Sequence, residues 1–166
     1  MRPNYISPVL LMLLLAAALG NAALAQGTDS SRCPPPAEMK AEHLFGLWTA
    51  QFSNPPPGLP ARASLLLQRH AEFSDSLAGT VGRELPANAG DGVPLDHAAR
   101  AALAGDFEDG VLVLDESSDR ISITGTWNAD MVEGSCGRVF VGLWKDTSKS
   151  APDSAAGVPF RLTRQP

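Results

Sequence analysis

Apolar and polar positions alternate with a period of two over much of the chain, the spacing of half-buried strands. In the first such stretch, Phe45 to Phe52, the alternating apolar set is Gly46, Trp48, Ala50 and Phe52. These share one face of an extended segment because successive strand side chains point to opposite sides. Residues 61–70 supply a second strand through Leu65, Leu66 and Leu67, and residues 73–82 a weaker third whose apolar positions are Phe73, Leu77 and Val81. Residues 98–107 contain good helix formers, yet their neighbours favour a fourth strand over a short helix. Asp109-Gly110 is a tight-turn signal, and Val111–Asp115 follows it as the fifth strand. The sixth runs from Ile121 to Trp127, the seventh from Gly137 to Trp144 and the eighth from Val158 to Thr163. Ile121, Ile123, Gly125 and Trp127 fall on one side of the sixth strand, and Val139, Val141 and Leu143 on one side of the seventh. With Asn128–Gly134 as the turn region, this predicts a hairpin whose buried face carries those residues.

Eight short strands in sequential order, joined mainly by turns, predict an all-β fold: an eight-stranded antiparallel up-and-down barrel, whose closure removes exposed edges. A two-sheet β-sandwich carries similar signals and is the alternative. Two stretches interrupt the strands. Ser53–Pro60 contains Pro55-Pro56-Pro57-Gly58 and must be a loop, because proline cannot continue a central ladder. Residues 83–97 are rich in Gly, Pro, Asn and Asp and include Asn88 and Asp91. A loop of that length in a compact domain marks either a binding loop or an insertion.

Ahead of the strands lie two segments of different character. Residues 1–25 combine Arg2, an apolar run from Val9 to Leu19 and an Ala23-Leu24-Ala25 site before Gln26, the pattern of a cleaved signal peptide. The apolar run is short for a bilayer span, and no cysteine follows directly to accept a lipid. Residues 26–43 form a proline-rich arm in which Pro34, Pro35 and Pro36 favour a stiff extended course, and Pro36–Leu44 holds a short helical turn. Residues 44–166 are then a single barrel domain. The expected compartment is the periplasm or the exterior, where the two cysteines, Cys33 and Cys136, are expected to pair and staple the arm to the late hairpin.

The formal net charge is −5, and loss of Arg2 with the leader makes it one unit more negative. Such a chain has no basic footprint for nucleic acid or an anionic membrane surface. His43, His70 and His97 are scattered and lack HxH or HExxH spacing, so neither a metal site nor any other cofactor is expected. Gly134-Ser135-Cys136-Gly137 resembles a nucleophile motif only superficially, since pairing with Cys33 accounts for the cysteine. The acidic pairs Glu108/Asp109 and Asp115/Glu116 sit beside turn signals and read as solvated surface. Trp48, Trp127 and Trp144 are large core pieces first and mouth-lining or partner-contacting residues second. No nucleophile, base and electrophilic stabiliser stand together in the sequence, and the chain reads as a non-enzyme.

Gly46-Leu47-Trp48-Thr49 resembles the G-x-W opening strand of small lipocalin-like barrels. Together with the leader, the start Leu44–Gln51 and the end Val158–Arg164, it makes the chain similar to the bacterial metalloprotease inhibitors of the Inh type. That resemblance implies an eight-stranded barrel carrying an N-terminal trunk that enters the cleft of a secreted zinc protease. Gly46 and Trp48 match the opening-strand motif, and residues 26–37 lie where the trunk lies. The expected function is therefore exported, non-enzymatic binding of an envelope or secreted protein through the arm and loops, with Pro34, Pro35, Pro36, Asn88, Asp91 and the three tryptophans as binding candidates. The alternatives are carriage of a small apolar ligand inside the barrel and a structural role in the envelope.

Overall fold

Strict alternation sets the architecture. In the computed structural model, which describes residues 33–83, 100–151 and 156–166, the strands are β1 (Gly46–Phe52), β2 (Arg62–Arg69), β3 (Leu77–Arg83), β4 (Arg100–Glu108), β5 (Val111–Ser117), β6 (Gly125–Met131), β7 (Val139–Asp146) and β8 (Val158–Arg164). Each pairs antiparallel with its sequence neighbours, and β8 returns to pair with β1, so the sheet closes into a barrel. The expected up-and-down, lipocalin-like barrel is therefore present, and the sandwich is not. The expected leader (residues 1–25), the start of the arm (residues 26–32), and Asn88, Asp91 and His97 lie outside the described residues. Among the described residues, no helix is long and apolar enough to cross a membrane.

On β2, Ala63, Leu65 and Leu67 are buried while Arg62, Ser64 and Leu66 face out; on β5, Leu112, Leu114 and Glu116 point inward. The interior is filled by two aromatic groups. Near the end where β1 begins, here the arm end, Phe140 packs edge-on against Trp48 and Phe107, with ring centroids 5.7 and 5.9 Å apart. Towards the opposite, far end, Trp127 packs against Phe160 at 4.9 Å, Phe52 at 5.5 Å and Trp144 at 6.4 Å. Full burial of each such side chain contributes about 1.5–3 kcal/mol.

Two short 3₁₀ turns, Pro36–Glu38 and Ala41–Leu44, cross the arm end. Met39, between them, and Ala41 and Leu44 of the second turn are buried against the barrel core. The Trp48 indole N–H donates to the Leu44 carbonyl at 2.8 Å, and the Arg164 guanidinium donates to the carbonyls of His43 at 2.9 Å and Phe45 at 2.7 Å. The last strand thereby clamps the turn that precedes the first.

The late hairpin departs from expectation in position and in face. Ile121 and Ile123 precede β6 and are 91% and 50% exposed. Their backbone is drawn out of the ladder by Asp119, whose Oδ1 accepts the N–H groups of Ile121 and Ser122 at 2.9 and 2.8 Å. Local side-chain bonding of this kind competes with strand pairing. β6 then runs on to Met131, beyond the expected turn start at Asn128, and the connection occupies Val132–Arg138 instead. On β7 the buried side is that of Phe140, Gly142 and Trp144, whereas Val139, Val141 and Leu143 face outward. Both sides are apolar, so two local facts decide. Trp144 has an acceptor inside the barrel, and at Gly142 a Cβ would sit 2.0 Å from the Asn128 carbonyl oxygen.

Candidate functional site

Pairing of the two cysteines, expected from their even count, is present. Cys33 and Cys136 are joined with their Cα atoms 4.7 Å apart, across 103 residues of sequence. Cys136 lies in the β6–β7 connection at φ 54°, and Gly137 follows at φ 69°. Gly137 suits the turn in two ways: its φ is in the left-handed region, and a Cβ there would approach the Met39 Cε to 2.1 Å, so the methionine would have to shift. The connection is thus shaped to receive both the disulfide and the buried methionine of the arm.

Between these anchors, Pro34, Pro35 and Pro36 run along the arm end. They border an open groove of about 340 Å³, completed by Val111, Met131 and Glu133. On the other side of the arm, a second hollow of about 400 Å³ is bordered by Met39, Lys40, Glu42, Asp75, Phe107 and Glu108. The arm end therefore presents a proline ridge, held at Cys33 by a covalent bond and at Met39, Ala41 and Leu44 by burial, with a concave surface on each side.

The far end is built differently. Glu116, expected at the surface, is 3% exposed. Its Oε1 accepts from Arg83 Nη1, and its Oε2 accepts from Arg83 Nη2 at 2.7 Å, from the Trp127 indole N–H at 3.0 Å and from the Trp144 indole N–H at 3.1 Å. The guanidinium carbon also stands 4.9 Å from the Trp144 ring centre and 5.9 Å from that of Trp127, within cation–π range. A buried carboxylate is tolerated here because every donor it needs surrounds it. Arg83 and Glu116 were detectable in the alternation: Leu77, Gly79, Val81 and Arg83 share a face, as do Leu112, Leu114 and Glu116, and each run ends on a charge pointing inward. Beside this cluster, Pro56, Pro57, Leu59, Trp144, Val158 and Pro159 line a groove of about 620 Å³.

The remaining candidates separate. Trp48 and Trp127 are each 1% exposed and Trp144 8%, all three inside the barrel and engaged through their indole N–H groups, so they are distant from the proline ridge in role and, for Trp127 and Trp144, at the opposite end. His43 accepts the Lys40 N–H through Nδ1 at 2.8 Å, and His70 accepts those of Glu72 and Phe73 at 3.2 Å each; both rings thus organise local turns. Asp119 is held well below the usual carboxylate range, foremost by the N–H groups of Ser122 and Ile121 and further by the hydroxyls of Ser122 and Ser117. Among the described residues, no three His, Cys, Asp or Glu side chains gather to hold a metal ion. In comparison with known proteins, no family model and no curated protein matches the chain.

Proposed function

We propose that this chain is an exported, non-enzymatic binding protein that engages an envelope or secreted protein through the arm end, and that inhibition of a secreted protease is the form this binding takes. The observation that carries the reading is the disulfide-anchored proline ridge lying across the end of a barrel whose interior is filled by aromatic side chains. A segment that is already tied down and conformationally restricted loses little freedom on association, which favours binding. Residues 26–32, immediately ahead of Cys33, are then delivered to a partner from a fixed point, as the trunk is in the Inh-type inhibitors that the sequence resembles. The packed interior weighs against carriage of a ligand along the barrel axis, since Trp48 with Phe140 at the arm end and Phe52, Trp127 and Phe160 at the far end occupy that space as two contacting groups.

The test is inhibition of a panel of secreted zinc metalloproteases by the protein beginning at Gln26, followed with a quenched fluorescent peptide. Deletion of residues 26–31 and, separately, replacement of Pro34, Pro35 and Pro36 by alanine leave the buried anchors Met39, Ala41 and Leu44 in place. Inhibition that weakens by about tenfold or more in either variant, equivalent to about 1.4 kcal/mol, supports the arm as the binding element. Absence of inhibition across the panel refutes protease inhibition, and inhibition that both variants retain in full refutes the role of the arm.

A further inference from the structure

The groove beside the proline ridge combines apolar and acidic borders. Val111 at the start of β5, Met131 at the end of β6 and the Pro36 ring supply the apolar part. The Asp109-Gly110 turn is drawn tight against the ridge: Gly110 has φ 88°, and a Cβ on it would come within 3.1 Å of the Pro36 Cβ. Three carboxylates border the same groove. Asp109 comes from that turn, Asp130 from β6, where it pairs with Val111 in the ladder, and Glu133 from the β6–β7 connection. Among the described residues, no lysine, arginine or histidine borders it. The hollow on the other side of the arm has the same sign, with Glu42, Asp75, Glu108 and again Asp109 against Lys40. At about 340 Å³ the groove lies at the small end of the range of ligand pockets, about 300–1,000 Å³, which suits a side chain better than a cofactor.

We propose that this groove receives an arginine or lysine side chain of the bound partner. Such a side chain is amphipathic in the way the groove is: its aliphatic stem covers Pro36, Val111 and Met131, and its cation lies among the carboxylates. An apolar side chain would cover the prolines and leave the carboxylates unanswered, and an acidic one would be repelled. The carboxylates do not gather closely enough to hold a metal ion, whereas a guanidinium, with a fork of N–H donors, bonds to acceptors spread around it. The proposal rests on the reading of the arm end as the binding face, and it names what that face selects: a partner with an exposed basic residue. The same sign on both sides of the ridge also draws a cationic surface towards the arm from a distance and speeds the encounter.

The test is an NMR titration of the protein with a glycine-arginine-glycine peptide blocked at both ends, read on the methyl groups of Val111 and Met131. A saturable shift with a dissociation constant on the order of millimolar is expected at low salt, weakening as salt rises from about 50 to about 500 mM. The citrulline peptide, which keeps the shape and loses the charge, should bind about tenfold more weakly or worse, and so should the arginine peptide to the variant carrying Asp130→Asn and Glu133→Gln. Both positions are exposed, and unchanged tryptophan fluorescence checks that the fold is kept. Equal binding of the citrulline peptide, or equal binding by the double variant, overturns the proposal. So does the absence of a saturable shift up to about 50 mM, well above millimolar, or a shift that appears only with Arg32→Gln, which would make the chain's own arginine the occupant. The titration involves no protease, so a panel without inhibition bears on the inhibitor reading and not on the groove. Protease inhibition that the double variant retains in full overturns the cationic contact and leaves the arm as the binding element.

Discussion

Replacing Glu116 by Gln tests the reasoning about the far end of the barrel most directly. The side chain keeps its size, but the charge disappears and one acceptor oxygen becomes a donor facing other donors. Four hydrogen bonds converge on the carboxylate, two from Arg83 and two from indole N–H groups, and bonds to a charged group contribute about 1.5–3 kcal/mol each before any are recovered. Gln retains an acceptor for about half of them. Breaking a buried ion pair by removing one partner costs about 3–5 kcal/mol, and the Arg83 side chain, 21% exposed, turns partly to water, which places the loss near the lower end. We expect about 3 kcal/mol for Glu116→Gln and about 4–5 kcal/mol for Glu116→Ala, which leaves both indole donors buried without partners. Urea unfolding followed by tryptophan fluorescence measures this, with Trp127 and Trp144 reporting from beside the substitution. The Arg83→Met variant completes a double-mutant cycle, in which the two changes should be coupled by about 1.5 kcal/mol or more. A loss below about 1 kcal/mol for Glu116→Gln, or additivity within about 0.5 kcal/mol in the cycle, would refute the network as an energetic unit.

Removal of the staple by Cys33→Ala with Cys136→Ala should lower stability by about 4–5 kcal/mol, the loop-closure value for a cross-link of this span; urea unfolding that differs from wild type by less than about 1 kcal/mol would contradict it. Asp119 supplies a pH prediction. Its folded pKa lies below that of an ordinary aspartate, about 3.9, so its contribution is complete above that value and is lost only as pH falls through the depressed one. The carboxyl resonance of Asp119 and the amide resonances of Ile121 and Ser122 should therefore hold steady down to about pH 3, and a titration midpoint near the ordinary value would show that the loop bonds do not form.

Where one face of a strand is apolar and the other polar, sequence and structure agree. Gly46, Trp48, Ala50 and Phe52 were legible as an inward set because Thr49 and Gln51 alternate with them, and the turn at Asp109-Gly110 was legible because few other pairs suit it. β7 was not, since Val139, Val141 and Leu143 compete with Phe140, Gly142 and Trp144, and periodicity alone cannot rank two apolar faces. What ranks them is tertiary: an acceptor across the barrel for Trp144 and the close approach of β6 at Gly142. The start of β6 was obscured by Asp119, whose side-chain bonds to the backbone look, in a sequence, like any turn aspartate. Glu116 was read as solvated because it sits beside the turn signal of Ser117-Ser118-Asp119, although its place two positions after Leu114 set it inward. The arm was legible as covalently attached from the two cysteines, while the groove it borders depends on turns that meet only in three dimensions.

The pairing of β8 with β1, with Arg164 reaching the carbonyls of His43 and Phe45, has a consequence for the order of events during folding. Neighbouring strands can zip as local hairpins, but the ring cannot shut until β8 has arrived. Up to that moment β1 and β7 each expose a row of unpaired backbone groups, open to strands from other chains. The contact that shuts the ring also spans the greatest separation along the sequence, and such contacts form slowly because the intervening chain must first be brought round. An interruption or a destabilising change within Val158–Arg164 would therefore leave two sticky edges at once, and its first symptom would be aggregation of the newly made chain rather than a small loss of stability in the finished barrel.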